Sequence, residues 1–83
     1  MNNEQFYSNV AVLLNTTHDY LPFPFLRRTR WNQRRLGSGR FPNHGIVRCF
    51  GNNVHVALYD PELNVICSSK DAALELIKSA YAP

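Results

Sequence analysis

Cysteine is scarce in this 83-residue chain: Cys49 and Cys67 are the only two. That is too few for a disulfide framework and fits a reducing compartment. Lysine is nearly absent as well, with Lys70 and Lys78 set against seven arginines. Acids are missing altogether from residues 27–59. Long apolar runs are also lacking. The longest aliphatic stretch, Val10–Leu14, falls far short of the roughly 20 residues a membrane-spanning helix needs. The start, Met1-Asn2-Asn3-Glu4, has neither the positive n-region nor the apolar h-region of an export signal. A disulfide-stapled secreted scaffold and a helical membrane protein are therefore not expected. The expected location is cytoplasmic, with no membrane partner. There is no internal repeat and no low-complexity segment.

What the chain does have is arginine, concentrated in one place. Residues 26–40 read LRRTRWNQRRLGSGR, with six arginines and the single tryptophan. Net charge is +3, but it is unevenly distributed. Residues 1–26 and 60–83 each carry −2, whereas 27–59 carry +7. A strongly basic centre between two mildly acidic ends points to an anionic partner, without bearing on fold. A 45% hydrophobic composition is that of a globular protein. A chain this short buries about 60% of its unfolded surface and makes one small domain, 1–83.

Phe6, Val10, Leu13 and Leu14 form an apolar stripe at helical spacing. Asn2 or Asn3 can cap that helix, and Asn15-Thr16-Thr17 marks its end. The alternation of Val10 and Val12 leaves a strand open there. Pro22 and Pro24 force Tyr20–Leu26 into extended geometry. Its aromatics are expected to pack on the domain, with a docking strip as the alternative. The arginine stretch matches neither period, so residues 20–44 read as an Arg-rich loop or extended segment. Within it, a short helix over 26–35 and an irregular strand ending at Gly37-Ser38-Gly39 are both open. Phe41–Gly45 reads as a turn region.

A β-meander follows. Ile46–Phe50 and Val54–Tyr59 are rich in β-branched and aromatic residues, and Gly51-Asn52-Asn53 between them is a hairpin signal. Val54, Val56 and Leu58 face one side, with His55, Ala57 and Tyr59 on the other. Asp60–Leu63 suits a type I turn before a third strand at Val65–Ser68. Ser68 or Ser69 then caps a second helix with a buried stripe at Ala73, Leu76, Ile77 and Ala80. The expectation is an α+β two-layer sandwich. A three- to four-stranded antiparallel sheet is covered on one face by N- and C-terminal helices, in the order α–loop–β–β–β–α. This order is similar to that of double-stranded-RNA-binding domains, whose last helix also begins at a Ser-Lys-containing stretch. Here Ser69-Lys70-Asp71-Ala72 offers one lysine where that family has a basic cluster, and Gly51–Asn53 has no basic loop. The likeness is one of topology and implies no family.

The chemistry follows from the arginines. A guanidinium presents a rigid fork of donors that matches phosphate oxygens two at a time, and it stacks on bases. Arg27, Arg28, Arg30, Arg34, Arg35 and Arg40 are the expected phosphate contacts, with Arg48 extending the patch onto the sheet. Trp31, and less directly Phe41, supply faces for stacking an unpaired base. The bland reading is that arginine stems cover apolar surface around a core tryptophan. Gly37-Ser38-Gly39-Arg40 lacks the Gly-Lys-Ser/Thr of a phosphate-binding loop and reads as a flexible turn. His44, Cys49, His55 and Cys67 match no usual zinc spacing, so no metal is assigned. No motif sets a nucleophile beside a base, so no enzyme and no cofactor are expected. The expectation is a small non-catalytic nucleic-acid-binding protein, favouring RNA over DNA. The alternative is a small regulator or inhibitor, of the kind phages and plasmids carry, docking on an acidic protein surface.

Overall fold

A computed structural model describes residues 1–20, 32–38, 41–59 and 62–81. The chain runs α1 (Asn3–Leu13), β1 (His18–Tyr20), β2 (Asn32–Ser38), β3 (Phe41–Phe50), β4 (Asn53–Tyr59), β5 (Glu62–Cys67) and α2 (Lys70–Tyr81). The α+β class and the two terminal helices match the sequence reading. The sheet is larger than expected, with five antiparallel strands in simple meander order, β1 to β5.

Asn2 is the cap of α1. Its side-chain oxygen accepts from the Gln5 amide at 2.8 Å, and the Gln5 side chain accepts from the Asn2 amide at 2.9 Å. This reciprocal pair satisfies two donors that the first helical turn would otherwise leave open. The helix stops where Asn15 takes a φ of 52°, a left-handed conformation that asparagine tolerates better than most residues. At α2, the Ser69 hydroxyl accepts from the Ala72 amide at 3.1 Å and caps the helix.

Three expectations need correction. Phe41–Gly45 is not a turn; it is the first half of β3. Residues 32–35 belong to β2, so a helix over 26–35 does not extend through them. Strand β1 pairs with β2 and was not foreseen. The two added strands lie between α1 and the meander, so the α–β–β–β–α likeness to double-stranded-RNA-binding domains does not hold.

Gly45 explains how β3 passes through a stretch that reads as a turn. Its φ is +121°, and a Cβ there would lie 2.3 Å from the Ala57 carbonyl oxygen and 2.8 Å from the Leu58 Cα. Only glycine allows this backbone approach. The Gly45 amide donates to the Asn43 side chain at 2.9 Å. The β3–β4 hairpin turns at Gly51, φ +60°, followed by Asn52, which does not share the positive φ. Glycine at the first central position of a two-residue hairpin is the type II′ arrangement.

Both helices touch each other and pack on one face of the sheet. Residues directly opposite in an antiparallel pair share a face, so register assigns each side chain. Arg34, Val47, Val56 and Val65 form one row across β2 to β5 under the helices. Asn32, Cys49, Val54 and Cys67 form the next. Phe6, Tyr7 and Val10 of α1 and Ala73 and Ile77 of α2 close this core, all fully buried. Each large apolar side chain so buried contributes about 1.5–3 kcal/mol. Two expected core positions of α2, Leu76 and Ala80, are only half-buried.

Candidate functional site

Among the described residues no helix lies on the opposite face of the sheet, and its side chains follow from the same register. One row runs Asp19, Arg35, Ile46, Ala57 and Asn64 from β1 to β5. The next runs Gln33, Arg48, His55 and Ile66. Phe50 and Asn53 pair beyond it, and Tyr59 and Glu62 pair at the other end. Tyr59 and Ile66 are 60% and 69% exposed, and Phe50 is 42% exposed. Ala57, Tyr59, Glu62 and Asn64, with Leu58, border a shallow depression of about 250 Å³.

This face is cationic near its middle. Arg48 stands directly opposite Gln33 and His55, and Arg35 is its diagonal neighbour, about 7–8 Å away along the sheet. Arg35 approaches Asp19 at 3.8 Å with both groups partly exposed, a contact worth roughly 0–1 kcal/mol. Among the described residues Arg48 makes no ion pair. His55 Nε2 lies 2.8 Å from the Asn64 side-chain oxygen. Three polar atoms on this face are buried without a hydrogen-bond partner: Gln33 Oε1, Arg35 Nε and Arg48 Nε.

Among the described residues the arginines do not form one belt. Arg34, expected to contact phosphate, points into the helix-covered core and is 2% exposed. Its guanidinium is ion-paired with Glu4 of α1. It also donates to the Asn32 side chain at 2.9 Å and the Gln33 carbonyl at 3.0 Å. Its Cζ lies 4.8 Å from the centre of the Tyr7 ring, a cation–π contact strengthened by the burial of both groups. The Tyr7 hydroxyl donates to Asn32, whose carbonyl and side-chain oxygens lie at 2.5 and 2.9 Å. Arg34 is therefore a structural cation that fastens α1 to β2. The alternation of a strand puts it on the face opposite its neighbour Arg35.

The remaining expected contacts divide. Arg35 and Arg48 share the uncovered face. Phe41 begins β3, but its side chain is not among those described. Arg27, Arg28, Arg30, Trp31 and Arg40 lie outside the described residues, as do Pro22–Leu26. The strand ends flanking 21–31, Tyr20 and Asn32, are at the end of the sheet that holds the Gly51–Asn52 turn. Lys70, whose Nζ reaches the Gly51 carbonyl at 3.4 Å, is at that end too.

Cys49 and Cys67 lie under the helices two strands apart, whereas His55 projects from the other face, so these residues cannot converge on one ion. No group of three His, Cys, Asp or Glu gathers among the described residues. Burial pushes the Cys49 thiol above its ordinary value of about 9 and also raises Cys67. Burial likewise pushes the Tyr7 hydroxyl up. Such thiols are poor nucleophiles at neutral pH. A contact that sequence spacing did not reveal joins Ser8 Oγ and His18 Nε2 at 3.4 Å. His18 Nδ1 is buried without a partner, so no carboxylate orients the ring as a serine nucleophile's base requires. No helix among the described residues is long and apolar enough to cross a membrane. No protein-family model, curated protein or solved structure matches the chain.

Proposed function

We propose that the protein is a non-catalytic binder of single-stranded nucleic acid, RNA ahead of DNA, with the strand lying on the uncovered face of the sheet. The observation that carries this reading is the composition of that face. Two arginines, Arg35 and Arg48, stand among exposed Phe50 and Tyr59 and amide-bearing Gln33 and Asn64. Guanidinium groups neutralise phosphates, aromatic faces stack unpaired bases, and amides hydrogen-bond base edges or the 2′-hydroxyl. A sheet face that carries no helix among the described residues offers a flat platform, which suits splayed bases better than the groove of a rigid duplex. Arg27, Arg28, Arg30 and Trp31 belong to the segment flanked by strand ends on this same sheet and are proposed as further contacts; so are Arg40 and Phe41. Arg34 is not among them.

The test is fluorescence anisotropy of a labelled single-stranded RNA titrated with wild-type protein, Arg48→Glu and Arg35→Glu. Each reversal is expected to weaken binding at least tenfold; Arg48→Glu should leave the unfolding midpoint nearly unchanged, and Arg35→Glu should lower it slightly by setting a carboxylate opposite Asp19. Unchanged affinity in both variants counts against the reading. A protein partner captured after nuclease treatment, and lost in the same variants, favours docking on an acidic protein surface instead.

A further inference from the structure

Phosphate explains only part of the uncovered face, because phosphate oxygens only accept hydrogen bonds. Arg35 and Arg48 each hold an Nε donor that is buried and unpartnered, and these could both serve an anion. Gln33 could not. It lies directly opposite Arg48 and two residues along β2 from Arg35. It is 8% exposed, and its Oε1 acceptor is buried without a partner. With its end group as placed, the atom buried against this patch is the acceptor, and an acceptor calls for a donor on the ligand. Buried polar atoms are normally paired, and three unpaired ones converging on one patch are a cost the unliganded fold carries and a matching ligand recovers.

The matching ligand must donate to Gln33 and accept from the guanidinium groups. A base with an exocyclic amine beside a ring-nitrogen acceptor has that edge, as adenine and cytosine do. The pairing of a glutamine amide with the adenine amine and ring nitrogen is a known geometric fit. We infer that Gln33, flanked by Arg35 and Arg48, is a base-reading position that selects adenine or cytosine over uracil on the uncovered face of β2 and β3. This rests on the proposed binding of single-stranded RNA and adds a base preference to it. It gives the arginines two roles: phosphate neutralisation, which is blind to sequence, and donation to the acceptor of the selected base.

The experiment compares oligoadenylate, oligocytidylate and oligouridylate dodecamers on the wild-type protein, Gln33→Leu and Gln33→Glu at two salt concentrations. Wild type is expected to bind adenylate or cytidylate about tenfold or more tightly than uridylate. Gln33→Leu should level the three affinities while keeping the salt dependence of the uridylate complex. Gln33→Glu, which retains an acceptor, should keep the preference at lower overall affinity. Equal wild-type affinities for the three, or a preference that survives in Gln33→Leu, overturns the base-reading role and leaves the platform intact. Failure of wild type to bind any dodecamer overturns both. Unfolding midpoints are measured alongside, and Gln33→Met, which also lacks the acceptor, decides the matter if Gln33→Leu does not fold.

Discussion

Arg34 separates two accounts of the arginine-rich stretch, because its removal should damage the fold and leave the binding chemistry untouched. Truncation in Arg34→Ala takes away a side chain 98% withdrawn from solvent. The lost packing of its stem is comparable to that of a buried aliphatic residue, about 1.5–3 kcal/mol. The contact with the Tyr7 ring adds up to about 2 kcal/mol in a dry setting. Glu4 is 62% exposed, so it rehydrates and leaves no buried countercharge behind. The expected total is a loss of about 3–4 kcal/mol, against roughly 4–12 kcal/mol for a chain of this length. A loss of about 3 kcal/mol lowers the melting temperature by roughly 12–24 °C. Arg34→Met keeps most of the packing and should cost only about 1–2 kcal/mol. Glu4→Ala should cost more, about 3 kcal/mol, because it leaves the buried guanidinium without its countercharge. Urea unfolding followed by circular dichroism measures all three. If Arg34→Ala is as stable as wild type but loses affinity for RNA, the assignment of Arg34 to the core is refuted.

Other outcomes follow from the same geometry. Gly45→Ala should destabilise by about 2–4 kcal/mol in urea unfolding, from a strained φ and a clash with the β4 backbone, whereas alanine at the open Gly51 position meets no atom and should cost less. Stability should be level through neutral pH and fall above roughly pH 8.5. Burial raises Cys49 and Tyr7 in the fold, so the unfolded chain releases its protons first. Each group removes up to about 1.4 kcal/mol per pH unit beyond its unfolded value. Melting curves across pH should show the first decline shrink in Cys49→Ala, with Cys67 sustaining the remainder, and the second vanish in Tyr7→Phe. In native protein at mild alkaline pH, a thiol reagent read by mass spectrometry should modify half-buried Cys67 before Cys49, which is 2% exposed.

Much of the architecture was legible because local patterns agreed with tertiary ones. The Phe6–Leu14 stripe, the alternation of Val54, Val56 and Leu58, and the cap before Asp71 each carried an undisturbed periodicity. β2 did not. Its core-facing positions are Asn32, Arg34 and Leu36, so the apolar alternation that marks a strand is absent. The compensating groups, Glu4 and Tyr7, lie on α1, remote in sequence. Likewise, Gly45 reads as a turn residue, yet its reason is a close approach to Ala57 that only the folded sheet reveals. β1 is three residues long, too short for any period to register. For the candidate site, composition pointed to arginine and stacking chemistry. Register was needed to see that Arg34 and Arg35 go to opposite faces, and that Gln33 and Arg48 meet.

The central claim is that Arg35 and Arg48 of the uncovered face neutralise phosphates. It is tested most directly by the salt dependence of RNA binding, followed through the fluorescence of Trp31, the only tryptophan. For a single strand, each phosphate contact contributes about 0.7 to the slope of log affinity against log salt. The Arg35→Glu, Arg48→Glu double variant should therefore bind more weakly, with a slope shallower by about 1.4. Identical slopes and affinities in the two proteins would contradict the account.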